Sequence, residues 1–142
     1  AHGYRTGKIP ATHNFDKVKL ISRWSHRHIA HLAGLGTFGI NNMLITESGC
    51  CGRFGSIITD CPVTIGEKQP VADKCLYKAA GKCGVCVRKC VNGALRFDGF
   101  DRHKCYESCL ANEELHRSIG KADVCGKCTV GLPCSLSDPT AR

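Results

Sequence analysis

Apolar side chains recur at helical spacing in the first third of the chain. Val18, Leu20, Ile21, Trp24, Ile29 and Leu32 fall on an arc of about half a helix at 100° per residue, which predicts a helix over 16–32. Asn14 or Asp16 is placed to cap its start and Gly34 to end it. His28 and His31 share the apolar arc, whereas His26 points away from it. A glycine loop follows, Gly34-Leu35-Gly36-Thr37-Phe38-Gly39. Met43–Thr46 and Ser56–Thr59 then read as two short strands, joined by a long hairpin loop over 47–55. From Cys75 onwards the apolar periodicity is weak. Leu95, Phe97 and Phe100 suit a short strand or turn, and Glu113–Ile119 suits one or two helical turns. The polar stretch Gly66–Pro70 marks a boundary between a region over 1–66 and a second over 67–142. There is no internal repeat and no low-complexity tract. The pattern predicts an α+β fold: a helix with short antiparallel strands, then a cysteine-rich module.

A segment with so little apolar pattern needs another source of stability. Metal–thiolate bonds supply it, because metal-binding free energy becomes folding free energy. The chain has twelve cysteines in 142 residues, none of them before Cys50 and nine from Cys75 on. Disulfides, zinc and iron–sulfur clusters compete for them. Disulfide scaffolds are mostly small and secreted. Here Ala1–Pro10 is polar and lacks the apolar stretch of a secretion signal, and many cysteines sit two to four residues apart. Close pairs of that kind are better placed to hold one metal centre than to bridge distant segments. No apolar run approaches the roughly 18 residues of a membrane span, so no membrane role is expected. Free thiols and exposed clusters suit the cytoplasm.

Two cysteine groups stand out. The first is Cys75-x7-Cys83-x2-Cys86-x3-Cys90, and the second is Cys105 followed by Cys125-x2-Cys128-x5-Cys134. An x2 step puts two sulfurs on one tight turn. The x3 step carries Cys90 past that turn, and in two-cluster ferredoxins the fourth cysteine of such a run ligates the other cluster. That crossover assigns Cys75, Cys83, Cys86 and Cys134 to one [4Fe-4S] cluster and Cys90, Cys105, Cys125 and Cys128 to a second. Zinc in two all-cysteine sites would use the same residues, although zinc ribbons pair CxxC with CxxC and have no cysteine three residues further on. Cys50, Cys51, Cys61 and Cys109 remain. They read as buried thiols, with Cys109 the nearest substitute ligand.

The formal charge is +8, and it is spread evenly: nine cationic against five anionic residues before Cys75, eleven against seven from there on. Two oxidised four-iron thiolate sites of about −2 each would bring the holoprotein near +4. The basic balance therefore partly neutralises clusters and points only weakly to nucleic acid.

The stretch Ala33–Ile45, then Phe54-Gly55-Ser56-Ile57-Ile58-Thr59-Asp60, and the run from Cys83 to Leu95 resemble the epoxyqueuosine reductase-like proteins and the related reductive dehalogenases. Those families join a cobalamin-binding domain to a two-cluster ferredoxin module. The resemblance covers about residues 14–136 and matches the later part of such proteins. It therefore implies a missing N-terminal segment or a partner subunit. It also implies that Gly34, Gly36, Gly39, Asn41 and Asn42 face a cobalamin, the glycines by close backbone approach and the asparagines by bonding its amides. The plainer reading of the same loop is a helix C-cap and tight turn. The Asp-Ser-x-Pro element of the family's reductases falls near Leu20, where no such motif stands. Ala80 replaces the family's first cysteine, so Cys75 must stand in. Val91 and Ser135 occupy positions where proline often follows the last cysteine. These departures leave the cluster ligands in place and detach the chain from reduction of an epoxide in tRNA.

The expectation is an iron–sulfur electron-transfer protein with two [4Fe-4S] clusters, part of a cobalamin-dependent reductase and served by a ferredoxin or flavodoxin-like donor. Rival readings are a stand-alone ferredoxin-type carrier and a zinc-stabilised RNA-binding module. The latter lacks a stacking patch, since the Phe and Tyr residues are scattered. His26, His28 and His31 read either as proton donors beside a cofactor or as histidines satisfied within the fold. Arg27 and Arg53 read as cofactor contacts or as surface charge, and Trp24 as core.

Overall fold

The structure is a computed structural model and describes residues 3–10, 15–64, 66 and 70–141. Among these residues the chain forms strands β1 (Thr6–Lys8), β2 (Phe15–Asp16) and β3 (Ile21–Ser22), helix α1 (His26–Leu32), strands β4 (Thr37–Phe38), β5 (Leu44–Ile45) and β6 (Ile57–Thr59), and helices α2 (Leu76–Ala80), α3 (Val85–Arg88) and α4 (Arg102–Leu115). The strands pair antiparallel in three two-stranded ladders, β1 with β6, β2 with β3 and β4 with β5. The fold is α+β with small sheets. None of the described helices is long and apolar enough to cross a membrane.

The helix expected over 16–32 forms only in its last two turns. Asp16 Oδ1 accepts the backbone N–H groups of Val18 and Lys19 at 2.9 and 2.8 Å. Leu20 takes the left-handed conformation at φ 52°. This local bonding competes with helix and folds 17–20 into a turn between β2 and β3. Ser25 then caps α1 by accepting the His28 N–H. The apolar arc is not buried: Val18 is 80% and Leu32 61% exposed. Asn14, the other expected cap, lies outside the described residues.

The expected hairpin of Met43–Thr46 with Ser56–Thr59 also forms differently. Leu44–Ile45 pairs with Thr37–Phe38 of the glycine loop, and Ile57–Thr59 pairs with Thr6–Lys8. The glycine loop is itself a strand followed by a tight reversal: Gly39 donates to Met43 O at 2.9 Å and Asn42 donates to Gly39 O at 3.0 Å. Helix α4 starts eleven residues before the expected turns, and 116–119 continue as turn. Its N-cap is Asp101, whose carboxylate accepts the Lys104 N–H at 3.0 Å. Leu95 and Phe100 form an isolated antiparallel bridge, as the turn reading there requires.

The core lies where the cysteines are. Ile45, Cys50 and Cys75 form one buried cluster, with Met43, Tyr77 and Cys134 against it. Cys86, Leu95 and Leu132 form a second, with Cys90, Cys128 and Cys134 against it. Ile40 and Cys134 belong to both and join them. Phe15 meets Tyr106 edge-on at 5.9 Å, and Arg102 donates to Lys19 O at 3.2 Å, so α4 closes back on the β2–β3 ladder.

Candidate metal centre

All twelve cysteines are free thiols, and eight of them sort into two neighbourhoods. Cys75 sits at the N-cap of α2, Cys83 in the turn before α3 and Cys86 within α3. Burial pushes the Cys86 thiol up to about 11, and the nearby sulfurs of Cys75, Cys134 and Cys83 add to the effect. Cys134, close in space and far in sequence, completes this group. Cys90 packs against the Cys86, Leu95 and Leu132 cluster. With Cys105, Cys125 and Cys128 it lines a small pocket walled on the apolar side by Leu95 and Phe100. Burial pushes Cys105 up to about 11, reinforced by Cys109, Cys128, Cys125 and Cys90. Cys128 rises for the same first reason. Leu95 donates its N–H to Cys90 Sγ at 3.3 Å.

Members of each set expected from spacing lie near one another. Four thiolates at about 2.3 Å from one zinc stand about 3.8 Å apart. Nowhere among the described residues do three His, Cys, Asp or Glu side chains converge to hold one metal ion. A four-iron cluster is a larger body that takes each thiolate on a separate iron. The donor chemistry, four sulfurs per group with Leu95 and Phe100 against the second, would suit such a cluster. Cys109, four residues along α4 from Cys105, borders the second group and is raised by burial and by the Cys125 charge. Cys51 is exposed and Cys61 half-buried, so of the remaining thiols only Cys50 is fully enclosed.

The glycine loop faces its own chain. A Cβ on Gly36 would collide with the Ile45 carbonyl, Gly39 packs beside Asn41 and Ile45, and Gly34 lies near Val71. Asn41 is buried. It donates to Cys128 O at 2.8 Å and accepts the Met43 N–H at 3.2 Å, so it ties β4–β5 to the second cysteine group. Asn42 is exposed in the left-handed region at φ 57°. The three histidines have partners within the fold. His26 Nδ1 meets Ser56 Oγ at 2.8 Å and His28 Nδ1 meets Ser25 Oγ at 2.7 Å. His31 Nδ1 must carry a proton to meet Gly36 O at 2.8 Å.

A feature the sequence left undefined is a broad groove of ≈ 910 Å³, lined by Trp24, Arg27, Arg53, Phe54, Cys51 and Cys125 among others. Trp24 is 43% exposed at its edge rather than in the core. Arg27 is held there by donating to Asn42 O at 2.6 Å. The groove reaches the second cysteine group at Cys125. Its only signal in the sequence was the pairing of a lone tryptophan with two arginines from segments far apart.

No protein-family model, characterised protein or solved structure matched this chain in comparisons with known proteins.

Proposed function

We propose that this chain is an iron–sulfur electron-transfer protein with two [4Fe-4S] clusters in a ferredoxin-like module. Cys75, Cys83, Cys86 and Cys134 would hold one, and Cys90, Cys105, Cys125 and Cys128 the other. One observation carries the reading: Cys90 lines a pocket with Cys105, Cys125 and Cys128, while Cys134 lies beside Cys75 and Cys86. That arrangement is what two interleaved four-thiolate sites require. When bound, such clusters supply reversible one-electron storage. The chain's own part is to hold the thiols near one another, Cys75 and Cys86 buried and Cys83 exposed, and to aim the Leu95 N–H at Cys90.

The groove beside Cys125 supports a further part of the reading, in which the chain belongs to a cobalamin-dependent reductase and is not a stand-alone carrier. Trp24 and Phe54 offer flat apolar faces to an acceptor, and Arg27 and Arg53 offer donors to its polar rim. The remaining positive charge, about +4 with both clusters bound, suits an acidic ferredoxin or flavodoxin-like donor. The resembled proteins and the free thiols suit a cytoplasmic setting.

The test is anaerobic purification with iron and sulfide analysis. The expected result is about eight irons and eight sulfides per chain, with a visible charge-transfer band that dithionite bleaches. Zinc without iron, and no such band, would overturn the reading. Cob(II)alamin binding, read as a spectral shift lost in Trp24→Ala, tests the reductase part separately.

A further inference from the structure

Cys50 is the most enclosed cysteine of the chain, 1% exposed, and neither cluster set uses it. Its Sγ lies 3.9 Å from Cys134 Sγ. The approach is built into the backbone. Cys50 N–H donates to Cys134 O at 2.8 Å and to Ser135 O at 3.1 Å, and Cys51 N–H donates to Ser135 O at 3.0 Å. Gly49, at φ +80°, makes this possible, since a Cβ there would run into the Ser135 carbonyl. Cys50 also shares its core cluster with Cys75. A buried thiol clamped beside one member of a four-thiolate set and packed against another is part of that set's surroundings, not an incidental small hydrophobe.

We propose that Cys50 is a fifth, reserve ligand of the first metal site, able to take the place of Cys134. The proposal rests on the reading of Cys75, Cys83, Cys86 and Cys134 as cluster ligands. In the exchange an iron–sulfur bond to Cys134 would break and one to Cys50 would form. The proton passes from the Cys50 thiol to the Cys134 sulfur, so net charge and electron count do not change. The two sulfurs are already in contact, and the backbone bonds that hold them together are untouched. The exchange needs a side-chain rotation and no refolding. Cys83, exposed in the turn before α3, makes no sulfur–sulfur hydrogen bond among the described residues and has no reserve of this kind.

The experiment counts iron and sulfide in the anaerobically purified full chain and in four variants. Wild type, Cys50→Ala and Cys134→Ala are each expected to hold about eight irons, and Cys83→Ala and the double variant Cys50→Ala/Cys134→Ala about four. Circular dichroism and the EPR signal of the second cluster report that each variant is folded. Loss of four irons from Cys134→Ala alone, or retention of eight by the double variant, would overturn the proposal. Cys134→Ser covers the case in which the alanine variant does not fold. Ligation by Cys50 leaves its EPR spectrum and midpoint potential as in wild type, whereas ligation by the serine oxygen shifts both and sinks the idea. A wild-type chain without iron would instead refute the reading on which the proposal rests, so the two failures are distinguishable.

Discussion

Gly49 shows how much a single residue carries here. Its positive φ and its closeness to Ser135 let the Cys50 backbone dock on Cys134–Ser135. Gly49→Ala combines left-handed strain with a backbone collision and is expected to cost about 1–3 kcal/mol, lowering Tm by several degrees. Gly52, also in this segment, has open space around its Cα, so Gly52→Ala should change stability by less than about 0.5 kcal/mol. Thermal unfolding of the two variants side by side checks this, and equal effects would contradict it. Asn41 makes a comparable case. Asn41→Ala strips the Cys128 carbonyl of a buried donor and should cost about 1–3 kcal/mol, again read by thermal unfolding. At this scale the sequence is legible where chemistry is periodic and opaque where it is long-range. The x2 and x3 steps among Cys83, Cys86 and Cys90 are the local pattern on which the proposed two sets rest. Nothing local announces that Asn41 reaches a carbonyl 87 residues away, or that Cys50 meets Cys134.

At the scale of elements, the sequence misled wherever a side chain bonded its own backbone. The apolar arc from Val18 to Leu32 has helical period, yet Asp16 captures two N–H groups and turns the chain before a helix can propagate. The opposite error occurred at α4. It spans fourteen residues with none buried, so hydrophobic periodicity could not reveal it. Its signals were helix-forming residues and the Asp101 cap. The cap gives a pH dependence. The Lys104 N–H bond, reinforced by His103, holds the Asp101 carboxyl below its ordinary value. A carboxyl depressed in the folded state stabilises fully above its unfolded pKa of about 3.9 and loses that contribution as pH falls through the folded value. Asp101→Asn keeps an acceptor at all pH values. The amide-exchange protection of Lys104 should therefore fall with acid in wild type and stay level in Asp101→Asn between pH 5 and 3. Parallel behaviour of the two would show that the cap does not govern the helix start.

Across the whole molecule, surface and core are out of proportion. A compact 15.4 kDa monomer exposes about 7200 Å², whereas this chain exposes 10383 Å². Three of the side chains that make up its core, Cys50, Cys75 and Cys86, are cysteines. Ladders of two or three residue pairs and helices as short as α2 and α3 do not stabilise themselves. A fold this open needs energy from elsewhere, and the two cysteine groups stand where a metal cluster would join α2, α3, α4 and the segment around Cys134 into one unit. On the proposed cluster reading, stripping metal under reducing conditions should abolish the cooperative unfolding transition and leave a chain with little fixed tertiary structure. Loss is expected first over 75–134, where the ligands lie, and later in the β4–β5 hairpin, whose Leu44 and Ile45 are fully buried. Near-ultraviolet circular dichroism and amide exchange before and after chelation measure both steps. An apoprotein that keeps a sharp transition within a few degrees of the holoprotein would mean that thiol packing alone sustains the core, and the metal's role in the fold would have to be given up.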